Sequence, residues 1–155
     1  MQITLRKAGP EDAELIWKMQ VEAFKELLVK YEDYDLNPAA ELLDKTIMRL
    51  NQSFTYFYFI ESNGEKMGAI RVVDKKEEGK PKRISPIFVM PPHRGKGIAQ
   101  MAIMEAERIH GSDNWELDTI LQETGNCHLY EKLGYRQTGE TEKINDKMTL
   151  VFYRK

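Results

Sequence analysis

The sequence predicts a mixed α/β fold in one domain, and three observations predict it. The chain has 155 residues, 41% of them hydrophobic, which is enough to bury a full core without disulfide or metal staples. Hydrophobic spacing alternates along the chain between the two-residue period of strands and the longer period of helices. No repeat, low-complexity stretch or Pro/Gly/Ser-rich linker divides residues 1–155. The element order reads β-α-α-β-β-β-α-β-α-β-β.

Each element has its own signal. Ile3 and Leu5 alternate with polar residues over 2–6, a first strand. Gly9-Pro10-Glu11-Asp12 starts a helix, with Pro at its first turn and acids at the positive end of the dipole. Leu15, Ile16, Met19, Ala23 and Leu27 give that helix an apolar face over 11–29. Residues 30–36 break the period. Asn37-Pro38 starts a second helix, with Asn as N-cap and Leu42, Leu43, Thr46, Ile47 and Leu50 as its face.

The middle of the chain is β. Residues 54–60 are rich in strand formers, Asn63-Gly64 makes a tight turn, and Met67–Val73 returns. Charged residues 74–82 form a solvated loop before a strand over Arg83–Val89. Pro86 marks an edge, a bulge or the end of pairing there. Ile98, Met101, Ala102, Ala106 and Ile109 keep helical spacing up to a Gly111 cap. Trp115–Leu121 is a strand, and 126–133 a short helix closed by Gly134. Two strands, Tyr135–Thr141 and Met148–Tyr153, finish the chain, with 143–148 as a loop.

Composition excludes several functions. The net charge of −2 gives no global footprint for nucleic acid, and the aromatic strand 54–59 lacks the basic groove of a base-stacking platform. One cysteine, Cys127, allows no internal disulfide and no Cys-rich metal site, and three scattered histidines suggest no metal centre. Adjacent Cys127 and His128 point about 100° apart on a helix, against a Cys–His nucleophile. The N-terminus lacks a signal-like apolar run, and no stretch is long enough for a membrane span. A cytoplasmic protein is the expectation, with no membrane and no nucleic-acid partner.

The chemistry concentrates at Arg94-Gly95-Lys96-Gly97-Ile98-Ala99, between a strand and a helix. Two glycines let the backbone turn tightly, and the following helix offers unpaired N–H groups and a positive dipole end. That combination suits a phosphate. It is not a Walker A loop, because Gly97 stands where Ser or Thr is needed. It is not a dinucleotide fingerprint, because Gln100 stands where the third Gly or Ala is needed.

Arg94-x-x-Gly97-x-Ala99 resembles the pyrophosphate-binding signature of the GNAT family of N-acetyltransferases. The preceding Pro86-Ile87-Phe88-Val89-x-Pro91 is similar to that family's fourth strand and its exit. Asn126 followed by Tyr130-Glu131-Lys132-Leu133-Gly134-Tyr135 resembles its second signature. The resemblance spans the whole element order and is specific over residues 86–141. It implies a mixed, mostly antiparallel central sheet flanked by helices.

By this resemblance, backbone amides of Gly95, Lys96, Gly97, Ile98 and Ala99 hold the pyrophosphate of acetyl-CoA, with Arg94 or Lys96 adding charge. Phe88 and Val89 pair by backbone with the pantetheine arm. Asn126 contacts that arm or caps its helix. Tyr130 protonates the departing thiolate, or is simply an aromatic core residue. The implied reaction is direct acyl transfer from acetyl-CoA, without metal, to a small-molecule or peptide amine. The amine must lose a proton before it attacks, and backbone donors around Phe88–Met90 stabilise the oxyanion.

The family often carries a base as Glu on its fourth strand, but Arg83–Val89 contains no acid. Glu123 is therefore the first candidate for the base, with Asp118 and Ser85 behind it. A non-catalytic acyl-CoA-binding domain on the same fold is the alternative. Homodimerisation is compatible with the sequence, although no feature demands it. Charge is also unevenly distributed: residues 11–44 carry a net −7, leaving +5 elsewhere. This reads either as solvated helix faces or as attraction for a cationic amine, with Glu32, Asp33 and Asp35 near its approach.

Overall fold

The computed structural model describes all of residues 1–155. Its strands are β1 (Thr4–Lys7), β2 (Thr55–Ser62), β3 (Glu65–Val73), β4 (Lys82–Val89), β5 (Trp115–Ile120), β6 (Arg136–Asn145) and β7 (Met148–Arg154). They form one sheet in the order β1-β2-β3-β4-β5-β7-β6, antiparallel throughout except for β4 beside β5. The helices are α1 (Ala13–Tyr31), α2 (Leu43–Leu50), α3 (Ile98–His110) and α4 (Thr124–Lys132). The mixed α/β reading and the element order hold.

Apolar periodicity decides which helix covers which face. Ile98, Ala102, Ile103 and Ala106 of α3, with Cys127 and Tyr130 of α4, pack on Tyr58, Ile60, Val72, Ile84, Leu117 and Tyr153. Ile16, Met19 and Ala23 of α1 pack on the opposite face, against Phe57, Phe59, Ala69 and Phe88. The aromatic strand is thus core on both faces, since Phe57, Tyr58 and Phe59 are all buried.

Three local expectations change. Asn37 does cap, accepting from the Ala39 amide at 2.7 Å, but it caps a single tight turn over Pro38–Ala40. Glu41 then returns to extended backbone, so α2 begins only at Leu43. The faces also shift: Leu15, Leu42, Ile47 and Ile109 are exposed, and Gln20 and Ile103 are buried, while Thr46 is buried as expected. Finally, β6 and β7 continue through 143–148 as a hairpin, with Asn145 paired to Met148, so the expected loop shrinks to a turn.

The feature that positions the site is the meeting of β4 and β5. They pair only at Lys82–Trp115 and Arg83–Glu116, and then part. Beyond Arg83, β4 remains paired to β3 on one side, through Phe88–Ala69 and Val89–Gly68, while its other edge is open. The register of β3 shifts between Ile70 and Val72, opposite the Ser85-Pro86 step, so Pro86 does mark the place where pairing is disturbed.

Candidate active site

The open edge of β4 runs directly into the glycine loop. After Val89 the chain makes one tight turn over Pro91–His93 and reaches Gly95 and Gly97, with φ of 78° and 76°. Only glycine adopts that conformation without strain. None of the amides of Gly95, Lys96 and Gly97 finds a backbone acceptor in the chain, and the first helical return is Met101 N–H to the Gly97 carbonyl at 3.1 Å. The first-turn amides of α3, from Ile98 and Ala99 onward, have no partner within the helix either. The loop therefore presents a run of free N–H donors at the positive end of a helix, as an anion requires.

Arg94 has another task than the one expected of its charge. Its Nε donates to the Val89 carbonyl at 3.0 Å and its Nη2 to the Ala23 carbonyl at 2.7 Å. The guanidinium ties the loop to the end of β4 and to α1, so its contribution is to hold the amides in place. Exposed Lys96 is left as the basic side chain of the loop itself. His93 flanks the loop, with its Nε2 3.1 Å from Glu65 Oε1 across the β2–β3 turn.

Where β4 and β5 part, a cavity of about 400 Å³ opens on the α1 and α2 side. Ser85 and Ile87 of β4, Asp118 of β5, and Asn126 and Tyr130 of α4 contribute to its wall. Phe88 is buried against α1, its ring edge-on to Phe24 at 5.8 Å, so what it offers a ligand is its backbone. Asn126 sits one turn inside α4, whose N-cap is Glu123; it is exposed and does not cap. Tyr130 is buried, yet reaches the cavity. Burial first, then the nearby charge of Asp118, push its hydroxyl well above the ordinary tyrosine range, so it stays protonated at neutral pH.

Glu123 is drawn elsewhere. Its carboxylate accepts from Tyr31 at 2.5 Å and from Lys30 at 2.8 Å, at the end of α1, and it takes no part in the cavity wall. Burial pushes this carboxyl up, but the Lys30 and Tyr31 hydrogen bonds outweigh it and hold it below its usual value. An acid so engaged is a weaker proton acceptor than a free one, and its side chain links α1 to α4 outside the cavity wall. Of the two lesser candidates, Asp118 and Ser85, both line the cavity, and Asp118 is paired with Arg83.

The acidic stretch resolves residue by residue. Glu32 is bound by Lys147 at 2.6 Å, and Asp35 lies outside the cavity wall. Asp33 lines the cavity, is only 4% exposed, and keeps Oδ2 without a donor while Oδ1 accepts from the Leu36 amide. Glu142 on β6 lines the same space and has no ion-pair partner. The basic residues of the wall are all matched: Arg49 chelates Glu41 at 2.9 and 3.2 Å, Lys45 lies 3.4 Å from Glu41, and Arg83 meets Asp118.

Residues 16–135 match the family model described as the acetyltransferase (GNAT) family. The chain belongs to this family. Its fold is also that of solved GNAT acetyltransferases. The spermidine N-acetyltransferase of Vibrio cholerae, in complex with CoA and spermine, is 18% identical over 98% of this chain and 94% of that one, with a TM-score of 0.76. The PaiA N-acetyltransferase of Thermoplasma acidophilum, in complex with coenzyme A, is 16% identical over the whole of both chains, with a TM-score of 0.70. The microcin C7 self-immunity acetyltransferase MccE, with acetyl-CoA and AMP, is 15% identical over 98% and 91%, with a TM-score of 0.72. Curated proteins provide no match. At these identities the likeness is one of GNAT fold. The structure contains no cluster of side chains able to hold a metal ion, and no helix long and apolar enough to cross a membrane.

Proposed function

We propose that this GNAT protein is an N-acetyltransferase that moves an acetyl group from acetyl-CoA to a primary amine by direct attack. The free amides of Gly95–Gly97 beside the open edge of β4 carry this reading, because they fit a pyrophosphate and an extended amide-bearing arm respectively. Lys96 adds charge to the phosphates, Arg94 fixes the loop, and the backbone of Phe88 and Val89 orients the arm. Asn126, on the cavity wall, contacts it.

The thioester then lies where β4 and β5 part, beside Tyr130. The protonated Tyr130 hydroxyl gives its proton to the departing sulfur. The amine approaches from the α1–α2 side, drawn as an ammonium ion by Asp33 and Glu142, the wall's two acids without an ion-pair partner. Water relays its proton to Asp118 once that carboxylate is released by Arg83. Bound spermine in the Vibrio cholerae neighbour supports a small cationic acceptor.

Incubation with acetyl-CoA and a broad panel of amines should release free CoA. Absence of turnover together with absence of CoA binding by calorimetry would overturn the proposal. CoA binding without turnover on any amine would instead identify a non-catalytic acyl-CoA-binding domain.

A further inference from the structure

The pairing of β3 with β4 slips once, beside Arg71. Ile70 faces Ile87 and Val72 faces Ile84, so Arg71 alone stands opposite both Ser85 and Pro86. One residue against two is a β-bulge, and the extra residue inverts the alternation of the strand that carries it. Before the bulge Ile84 packs on the α3 side. After it Ile87 and Val89 pack on the α3 side and Phe88 packs toward α1. With unbroken alternation Phe88 would share the face of Ile84. Backbone groups alternate as side chains do, so the bulge also selects which N–H and C=O groups of residues 87–89 face the open edge.

The backbone ladder is weak at this point, because Pro86 has no N–H to give. Arg71 supplies the link from its side chain: Nη1 donates to the Ser85 carbonyl. The arrangement is costly. Arg71 lies outside the cavity wall, its Nε is buried without an acceptor, and Arg49 and Arg83 repel it. Burial above all lowers its pKa to about 10, which still leaves a cation at neutral pH. Its cross-strand neighbour is the buried ring of Phe57, against which an apolar side chain would pack without that cost. What an apolar side chain could not do is hold the Ser85 carbonyl.

We infer that Arg71 is a positioning residue for the cofactor: by holding the Ser85 carbonyl it fixes the bulge, and with it the phase in which β4 offers its open edge to the arm of acetyl-CoA. This rests on the acetyltransferase reading and adds to it a residue that touches neither substrate. Phe88 and Val89, whose backbone orients the arm, take their phase from the bulge that Arg71 holds. An arginine that served stability alone would be felt at both substrates alike. One that sets the phase of β4 is felt first at acetyl-CoA.

The test separates the two substrates. Arg71→Met should raise the Kd for CoA, by calorimetry, and the KM for acetyl-CoA about tenfold, the scale of one lost charge-assisted hydrogen bond. The KM for the best amine of the panel should stay within about twofold of the parent value. Amide hydrogen exchange should quicken at Ile87–Val89 and stay unchanged in β2. Arg71→Lys keeps a donor and the charge, and should recover part of the CoA affinity. Arg71→Gln, shorter and uncharged, should show the same split as Arg71→Met and replaces it if that variant fails to fold. Ile60→Val, a buried truncation in β2, is the stability control: Tm should fall with the KM for acetyl-CoA unchanged. CoA affinity intact in Arg71→Met, KM rising alike for both substrates, or Arg71→Lys no better than Arg71→Met would overturn the inference. Failure of the wild-type protein to bind CoA would overturn the parent reading, before any variant is compared.

Discussion

The Tyr31 hydroxyl donates to Glu123 Oε2 at 2.5 Å, joining the last residue of α1 to the N-cap of α4. The tie belongs to a larger clasp. Lys30 reaches the same carboxylate, the Asn145 side chain holds the Tyr31 carbonyl at 2.8 Å, and Lys147 holds Glu32. Three segments far apart in sequence meet beside the cavity. Glu123 is the carboxylate on which Tyr31 and Lys30 converge.

Replacing Glu123 by Gln should lower stability by about 1–2 kcal/mol, reduced from a buried pair because Lys30 is largely exposed. KM for the amine should rise while the pH profile of kcat keeps its shape. The folded-state pKa of Glu123 is depressed, so its contribution is present above the unfolded-state pKa and is lost as pH falls through the folded value. Acid unfolding of the variant, followed by circular dichroism, should thus lose part of its steepness below the ordinary carboxylate range. A kcat profile that loses its acid limb would instead make Glu123 the base.

Tyr130→Phe removes one hydroxyl from a buried ring that packs on Tyr135 and Tyr153. We expect kcat to fall by roughly a hundredfold, the scale of a lost general acid, with CoA affinity nearly unchanged. Steady-state kinetics beside calorimetry separate the two effects. An unchanged rate would return Tyr130 to the core.

Asp33→Asn keeps the side-chain oxygen that accepts from the Leu36 amide and removes the charge facing the cavity. KM for an amine should rise about tenfold, with that for acetyl-CoA unaltered. Glu32→Gln and Asp35→Asn should leave both constants near the parent values, since neither side chain lines the cavity. Equal effects from all three would point to a diffuse field in place of a specific anchor.

Gly68→Ala tests the open edge from behind. A Cβ at Gly68 would stand 2.1 Å from the Phe88 carbonyl oxygen, so β3 or β4 must shift. Overpacking of this kind costs about 1–3 kcal/mol. Because β4 carries Phe88 and Val89, CoA affinity should fall together with Tm. A drop in Tm with CoA affinity intact would separate the β4 edge from cofactor binding.

Local signals read well from sequence. The Asn63-Gly64 turn, the Gly95 and Gly97 loop, the Gly111 cap and the disturbance at Pro86 all depend on residues within a few positions of one another. The motif around Tyr130 falls into the same class. The partners that decide Glu123 and Arg94 do not, because Tyr31 and Ala23 lie dozens of residues away and only the fold brings them together. Asp33 shows the boundary between the two. Its acidic neighbourhood is visible in the chain, but only packing separates it from Glu32, which Lys147 neutralises. The second helix begins late for a similar reason: Asn37 caps as expected, and the tertiary demand on Glu41, which serves Arg49, Lys45 and Gln20, keeps the backbone extended after one turn.

The brief pairing of β4 with β5 also has a mechanical meaning. The β1-β2-β3-β4 and β5-β7-β6 ladders are joined at the sheet by a seam of two residue pairs. A guest that lies along the open edge of β4 supplies the missing rungs, so it splices two half-sheets into one. Its binding free energy then also resists the parting of those halves. Hydrogen exchange at Ile84–Val89 and at Asp118–Ile120 should slow together when the guest is present, as one cooperative block.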